Sequence, residues 1–194
     1  MKRIGSVVLC CIGVAAIGGS VAGADNATNP NWVAAHECTS ELHAMGVKNF
    51  KALYGDNAPK YQHAMRNCQR QHGKAAHNVV NNAAQQCKAE QADASFASTH
   101  GGLTFDQFYG TNDNDRNSYG KCVSTKAREA VDEHEDDVLN AAQQCRAERG
   151  DASFAANHGG DSFTEFYGTN KNKKNAFGKC VSQKAKAQHS APTP

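Results

Sequence analysis

The chain writes one segment twice, and this repetition constrains its fold more than any other feature. Residues 82–127 and 140–185 align without a gap at a spacing of 58, and 31 of the 46 aligned positions are identical. Each copy runs AAQQC, DASFA, HGG, F-x-x-FYGTN-x-N-x-x-N and then GKCVS-x-KA. A fixed internal period marks one folded unit built more than once, each copy covering its apolar face against a neighbour. A looser third copy precedes the pair. Ala34-Ala35-His36-Glu37-Cys38 matches Ala83-Ala84-Gln85-Gln86-Cys87, Phe50-x-x-Leu53-Tyr54-Gly55-x-Asn57 matches Phe105-x-x-Phe108-Tyr109-Gly110-x-Asn112, and Cys68 matches Cys122. This first copy lacks the HGG element.

The first 24 residues read as a secretory signal. Lys2 and Arg3 are followed by an apolar stretch from Ile4 to Ile17 and by Ala22-Gly23-Ala24, a small-residue cleavage site that would leave Asp25 at the mature end. The apolar run is shorter than the ~20 residues a membrane span needs. Cys10 and Cys11 lie within it, without the small residues before them that a lipidation site requires. The expected organisation is therefore a signal peptide over 1–24, a degenerate module over 25–76, modules over 77–134 and 135–185, and a disordered tail over 186–194.

Six cysteines remain after the signal, Cys38, Cys68, Cys87, Cys122, Cys145 and Cys180. An even count in an exported chain reads as a disulfide framework. No two of them are closer than 19 residues, which argues against the close pairs of a zinc site. Large apolar residues are scarce, since no Ile follows Ile17 and Leu, Val and Phe make only 20 of residues 25–194. Such a share is usually associated with disorder. The cysteines, the aromatic clusters and the Ala-rich helical segments oppose that reading. The expected interior is thin, Ala-lined and dependent on covalent staples.

The pattern is helical almost throughout. Asn31 to Val47 is apolar at helical spacing. Pro59 after Asp56 and Asn57 signals the start of a helix reaching about Gln91. Asn117 suits the cap of a helix to about Arg149, with Tyr119, Val123, Ala127, Val131, His134, Val138, Ala141 and Cys145 on one buried stripe. Asn175 suits the cap of a last helix that fades from Gln183. If the helices are continuous, Cys68 and Cys87 are about 28 Å apart and Cys122 and Cys145 about 35 Å. A disulfide needs Cα atoms within ~7 Å. With the equal separation of 35 residues in the two close copies, this favours Cys38–Cys68, Cys87–Cys122 and Cys145–Cys180. The expected fold is all-α: an antiparallel array of three disulfide-stapled helical-hairpin modules, two long helices flanked by two shorter ones.

The candidate ligand-binding segments are the aromatic, Asn-rich loops: Phe105, Phe108, Tyr109, Asn112, Asn114 and Asn117, with their twins Phe163, Phe166, Tyr167, Asn170, Asn172 and Asn175. Their structural role would be a wedge between helices, with Gly110 in a left-handed turn and the asparagines as caps. Asp113, Asp115 and Asn117 have the spacing of a calcium loop, but Ser118 stands where Gly is needed, no Glu follows, and the twin has Lys171 and Lys173. His100 and His158, each before Gly-Gly, are weak metal candidates. His134, amid the acidic run Asp132 to Asp137, reads as a hydrogen-bonded helix histidine.

Removing the signal leaves 19 basic and 19 acidic residues, distributed as +2 over 25–86, −6 over 87–144 and +4 over 145–194. That polarity is unlike the basic footprint of a nucleic-acid binder. No hydrolase, zinc-protease or P-loop motif occurs, and oxidised cysteines leave no thiol nucleophile. The expectation is a non-catalytic exported repeat protein without cofactor, acting as a binding or structural module at the cell envelope or outside the cell. The alternative is a secreted glycan-, peptide- or metal-binding module that uses the Asn/aromatic loops and the repeated histidines. The sequence identifies no particular partner, and a cell-envelope glycan or protein is the class considered.

The string YGTN-x-N-x-x-N-x-[YF]-GKCVS, after a Cys that ends an Ala/Gln-rich helix, resembles a repeat of small exported actinobacterial proteins. The resemblance covers 82–127 and 140–185 well and 34–68 loosely. It implies secretion and a helical Cys-paired module, and brings no activity with it.

Overall fold

The computed structural model describes residues 26–55 and 61–189. The expected signal, its cleavage point, the Asp56 to Pro59 helix start and the last five residues of the tail lie outside the described residues. Within them the chain is helical and has no strand. A short 3-10 turn, Asn26–Thr28, leads into α1 (Pro30–Tyr54) and α2 (Tyr61–Ala92). Two single turns follow, α3 (Phe96–Thr99) and α4 (Phe105–Tyr109), before α5 (Ser118–Gly150). The twin turns α6 (Phe154–Asn157) and α7 (Phe163–Tyr167) lead to α8 (Ala176–His189). No helix among the described residues is long and apolar enough to cross a membrane.

The three bonds join Cys38 to Cys68, Cys87 to Cys122 and Cys145 to Cys180, with Cα atoms 6.0, 5.9 and 6.0 Å apart. They also set the direction of the array. Cys68 near the start of α2 and Cys145 near the end of α5 share one apolar cluster with Cys38 and Cys180. Cys87 and Cys122 sit in another, with Phe96, Phe105 and Ala127. The long helices α2 and α5 therefore run antiparallel. A third, small cluster of Val33, Ala34, Ala76 and Val131 adjoins the second, the two sharing the partly buried Trp32, Val79 and Val80. The stripe expected on α5 is buried at Val123, Ala127, Val131, Val138, Ala141 and Cys145.

Four local details differ from the sequence reading. The first helix and the first aromatic turn are one element, α1, broken only at Gly46, which sits at φ 76° and ψ 157°. The break frees the Ala44 carbonyl, and Arg146 of α5 donates Nη2 to it at 2.5 Å. Second, Gly110 is not left-handed, since its φ is −64°. A Cβ there would run into the Asp106 carbonyl and the Asp115 side chain, so close approach is what requires glycine. Left-handed backbone occurs instead at the HGG glycines, Gly101, Gly102, Gly159 and Gly160, and at Asp115 and Lys173, with φ of 51° and 55°. Third, Asn117 precedes α5 but makes no side-chain cap. Its Oδ1 accepts from Thr111 N–H at 3.1 Å and its Nδ2 donates to Thr111 Oγ1 at 2.7 Å, closing the loop on itself. Asn175 does the same with Thr169. Side-chain capping falls instead to Thr104 and Ser162, each in a reciprocal capping box, with Gln107 and with Glu165. Fourth, α8 remains helical to His189, past the expected start of the tail at 186.

Candidate functional site

Each disulfide stands beside the same polar contact. The glutamate three residues after the first cysteine and the residue four after the second share a helix face with their cysteines. In the second module Tyr109 Oη donates to Glu90 Oε2 at 2.8 Å, and Lys126 Nζ lies 3.1 Å from Glu90 Oε1. In the third, Tyr167 Oη donates to Glu148 Oε2 at 2.8 Å, and Lys184 Nζ is 2.7 Å from Glu148 Oε1. Burial, followed by the hydrogen bond to Glu148, pushes the Tyr167 hydroxyl up to about 12. The Tyr–Glu–Lys contact accounts for Tyr109 and Tyr167 of the aromatic loops as structural residues.

The first module keeps the plan and changes its chemistry. Tyr54 Oη donates to Glu41 Oε2 at 2.6 Å. In place of the lysine stands His72, whose Nε2 is 3.0 Å from Glu41 Oε1. His72 Nδ1 donates to Glu37 Oε2 at 2.8 Å. The other modules have Gln86 and Gln144 at the position of Glu37. Glu37 and Glu41 are one helical turn apart on α1 and both are buried. Burial alone would lower the His72 pKa. The hydrogen bonds to Glu37 and Glu41 overcome it and hold the imidazole up at about 10. Burial, then the charge of Glu41, raises the Tyr54 hydroxyl far above its ordinary range.

His134 of α5 reaches the same place. Its ring centroid lies 6.0 Å from that of His72, and the ligand atoms of Glu41, His72 and His134 all lie within 4.8 Å of one another. The expectation of a hydrogen-bonded histidine does not hold at Nε2, which is buried and has no hydrogen-bond partner among the described residues. Burial first, and the neighbouring His72 cation, lower its pKa against the pull of Glu37 and Glu41. Cys38 and Cys68 also approach His72, but their sulfurs are bonded to each other and are not thiolate ligands.

Glu37, Glu41, Tyr54, His72 and His134 line a groove of about 860 Å³ bounded by α1, α2, α5 and α8. Exposed amides of α2, Gln71, Asn78, Asn82 and Gln86, follow one side of it. Lys126 and Glu133 of α5 and Ser182 and Lys186 of α8 line the other.

The sequence-predicted loop residues lie elsewhere. Phe105 and Phe163 are buried. Asn112, Asn114 and Asn172 are exposed, Asn170 is half-buried and Asn175 is buried. Asn114 Oδ1 accepts from Arg116 N–H at 3.2 Å, and Asn172 Oδ1 from Lys174 N–H at 3.1 Å. Phe108 and Phe166 stand 46% and 49% exposed, as twin aromatic faces. His100 stacks on Phe96 with ring centroids 3.7 Å apart and donates Nδ1–H to the Phe96 carbonyl at 2.8 Å. His158 does the same on Phe154. Neither belongs to a ligand cluster among the described residues. The Glu37, Glu41 and His72 constellation was missed by sequence reasoning. Carrying the alignment of the first module four residues past Cys68 sets His72 against Lys126 and Lys184, and that substitution is the signal.

No family model, curated protein or solved structure matches the chain. Its class therefore rests on fold and site alone: an all-α array stapled by three disulfides, with a carboxylate–histidine cluster in its groove.

Proposed function

We propose that the chain is a non-catalytic binding module acting outside the cytoplasm, at the cell envelope or beyond it, and that its ligand lies in the groove between α2, α5 and α8. Three disulfides suit an oxidising compartment. The apolar N-terminal stretch and the resemblance to exported actinobacterial repeat proteins support the same placement. The groove is the observation that carries the binding reading, because a purely mechanical strut has no use for a polar cleft of about 860 Å³. The amide row on α2 offers donors and acceptors without net charge, which suits the hydroxyl and amide groups of a glycan or peptide.

The test is retention of the purified mature protein on isolated envelope fractions and on immobilised envelope glycans and peptides. Asn78→Ala together with Asn82→Ala removes two exposed amides and should preserve helix content. Two lost hydrogen bonds should weaken retention about tenfold or more. Undiminished retention by this variant would move the site away from the groove. A second reading is favoured by the exposed Phe108 and Phe166, which offer stacking faces. Phe108→Ala with Phe166→Ala is the variant that would lose retention in that case.

A further inference from the structure

We propose that Glu41, His72 and His134 bind a divalent transition-metal ion of the zinc class, with Glu37 and Tyr54 positioning the ligands. The inference rests on reading the groove as a binding face, and it supplies that face with an ion.

The argument comes from comparing three versions of one contact within the same chain. The second and third modules show what stapling requires: a Tyr hydroxyl, a Glu carboxylate and a Lys ammonium. The first module departs at two positions. Lysine, which holds its proton and offers no lone pair, becomes His72, and the amide at the position of Gln86 becomes Glu37. The first change replaces a poor metal ligand by a good one, and the second gives that imidazole a carboxylate partner on Nδ1, in the module where a third helix also contributes an imidazole. His134 Nε2 is buried and without a hydrogen-bond partner among the described residues. Leaving such a nitrogen unpaired is costly unless something else binds it.

The arrangement also matches how metal sites are supported. His72 reaches Glu41 with Nε2 while its Nδ1 is held by Glu37 at 2.8 Å. That is the carboxylate–histidine relation that fixes ring orientation in metal centres. Tyr54 holds the other oxygen of Glu41 at 2.6 Å. Two imidazoles and one carboxylate form the three-ligand set of an open zinc site, leaving a position for water or for a ligand group in the groove. Imidazole nitrogen selects zinc, copper or nickel over calcium and magnesium, which prefer all-oxygen sets. Metal binding replaces the proton on His72 Nε2, which passes to solvent.

The experiment uses the mature, oxidised protein stripped with a chelator and titrated with zinc chloride by calorimetry, with cobalt(II) chloride as an optical probe. The expected result is one zinc per chain, visible cobalt bands of a four-coordinate site, and no binding heat with calcium chloride. Glu37→Gln with His72→Lys restores the residues of the other modules and so should keep the staple and the helix content. It should weaken zinc binding by at least about tenfold, as should His134→Ala. No zinc binding by the parent protein, or zinc affinity in either variant equal to that of the parent, overturns the proposal. Envelope retention is scored separately on the Asn78→Ala/Asn82→Ala variant, so failure of the groove reading and failure of the zinc site leave different signatures.

Discussion

Glu41, Glu90 and Glu148 hold the same register three residues after a cysteine, yet their partners give them different chemistry. Glu148 is the clearest for a pH argument. Burial would raise its pKa, but the hydrogen bonds from Lys184 of α8 and Tyr167 of α7 overcome that and hold it below 4.5, with a smaller pull from His158. A carboxylate whose pKa is lower in the folded state stabilises the fold above its unfolded pKa. That contribution is lost as pH falls through the folded value. Glu148→Gln should therefore leave a lower Tm near neutrality and a flatter decline of Tm below pH 4.5 than the parent shows. Parallel curves of Tm against pH would mean that the contact contributes nothing. At this scale the cysteines were legible from count and spacing alone. The glutamates and His72 were not, because a single Glu or His on a helix face carries no local signal. Their meaning comes from alignment across modules and from a third helix, which brings His134.

Among the helices, glycine decides two cases with opposite sign. Gly46 joins two helical segments at φ 76° and ψ 157°, and a Cβ there would meet no atom within 4 Å. Gly46→Ala is therefore a test of backbone strain alone and should cost on the order of 1–3 kcal/mol. Gly73 lies inside α2 with equally open space, so Gly73→Ala should stabilise by about 0.5–1 kcal/mol. Urea denaturation measures both, and effects of the same sign would contradict the assigned backbone conformations. The long helices α2 and α5 were readable because their apolar periodicity is sustained over many turns. The fused α1 was not, because one glycine there does the work of the whole HGG loop in the other modules. The asparagine caps misled for a related reason: Asn117 and Asn175 had a stronger partner in the loop threonine six residues earlier.

The molecule as a whole depends on covalent bonds because its interior is made of small residues. Among the described residues, eleven of the buried apolar residues are Ala and six are Cys, and the largest fully buried side chains beyond the cysteines are Phe50, Val33, Val138 and Val181. An Ala methyl buries little area, so the hydrophobic contribution per residue is low. Each disulfide closes a loop worth about 3.5–4 kcal/mol in the chain-entropy model, against a typical domain stability of about 5–15 kcal/mol. The bonds are not equivalent in what surrounds them. Cys38–Cys68 and Cys145–Cys180 share one large apolar cluster, whereas Cys87–Cys122 stands in a smaller one at the other end. Replacing Cys87 and Cys122 by Ser should accordingly increase amide hydrogen exchange first near Phe96, Phe105 and the start of α5. Uniform loosening of both ends would contradict that division. The most direct test of the covalent account is the far-ultraviolet circular dichroism melt of the protein, with and without full reduction of the three disulfides among the described residues. Reduction should remove most of the thermal stability and lower Tm by tens of degrees, roughly as the loss of several kcal/mol from a domain of this size requires. A Tm that barely moves would show that the Ala-rich interface holds the helices unaided, and the account would be wrong.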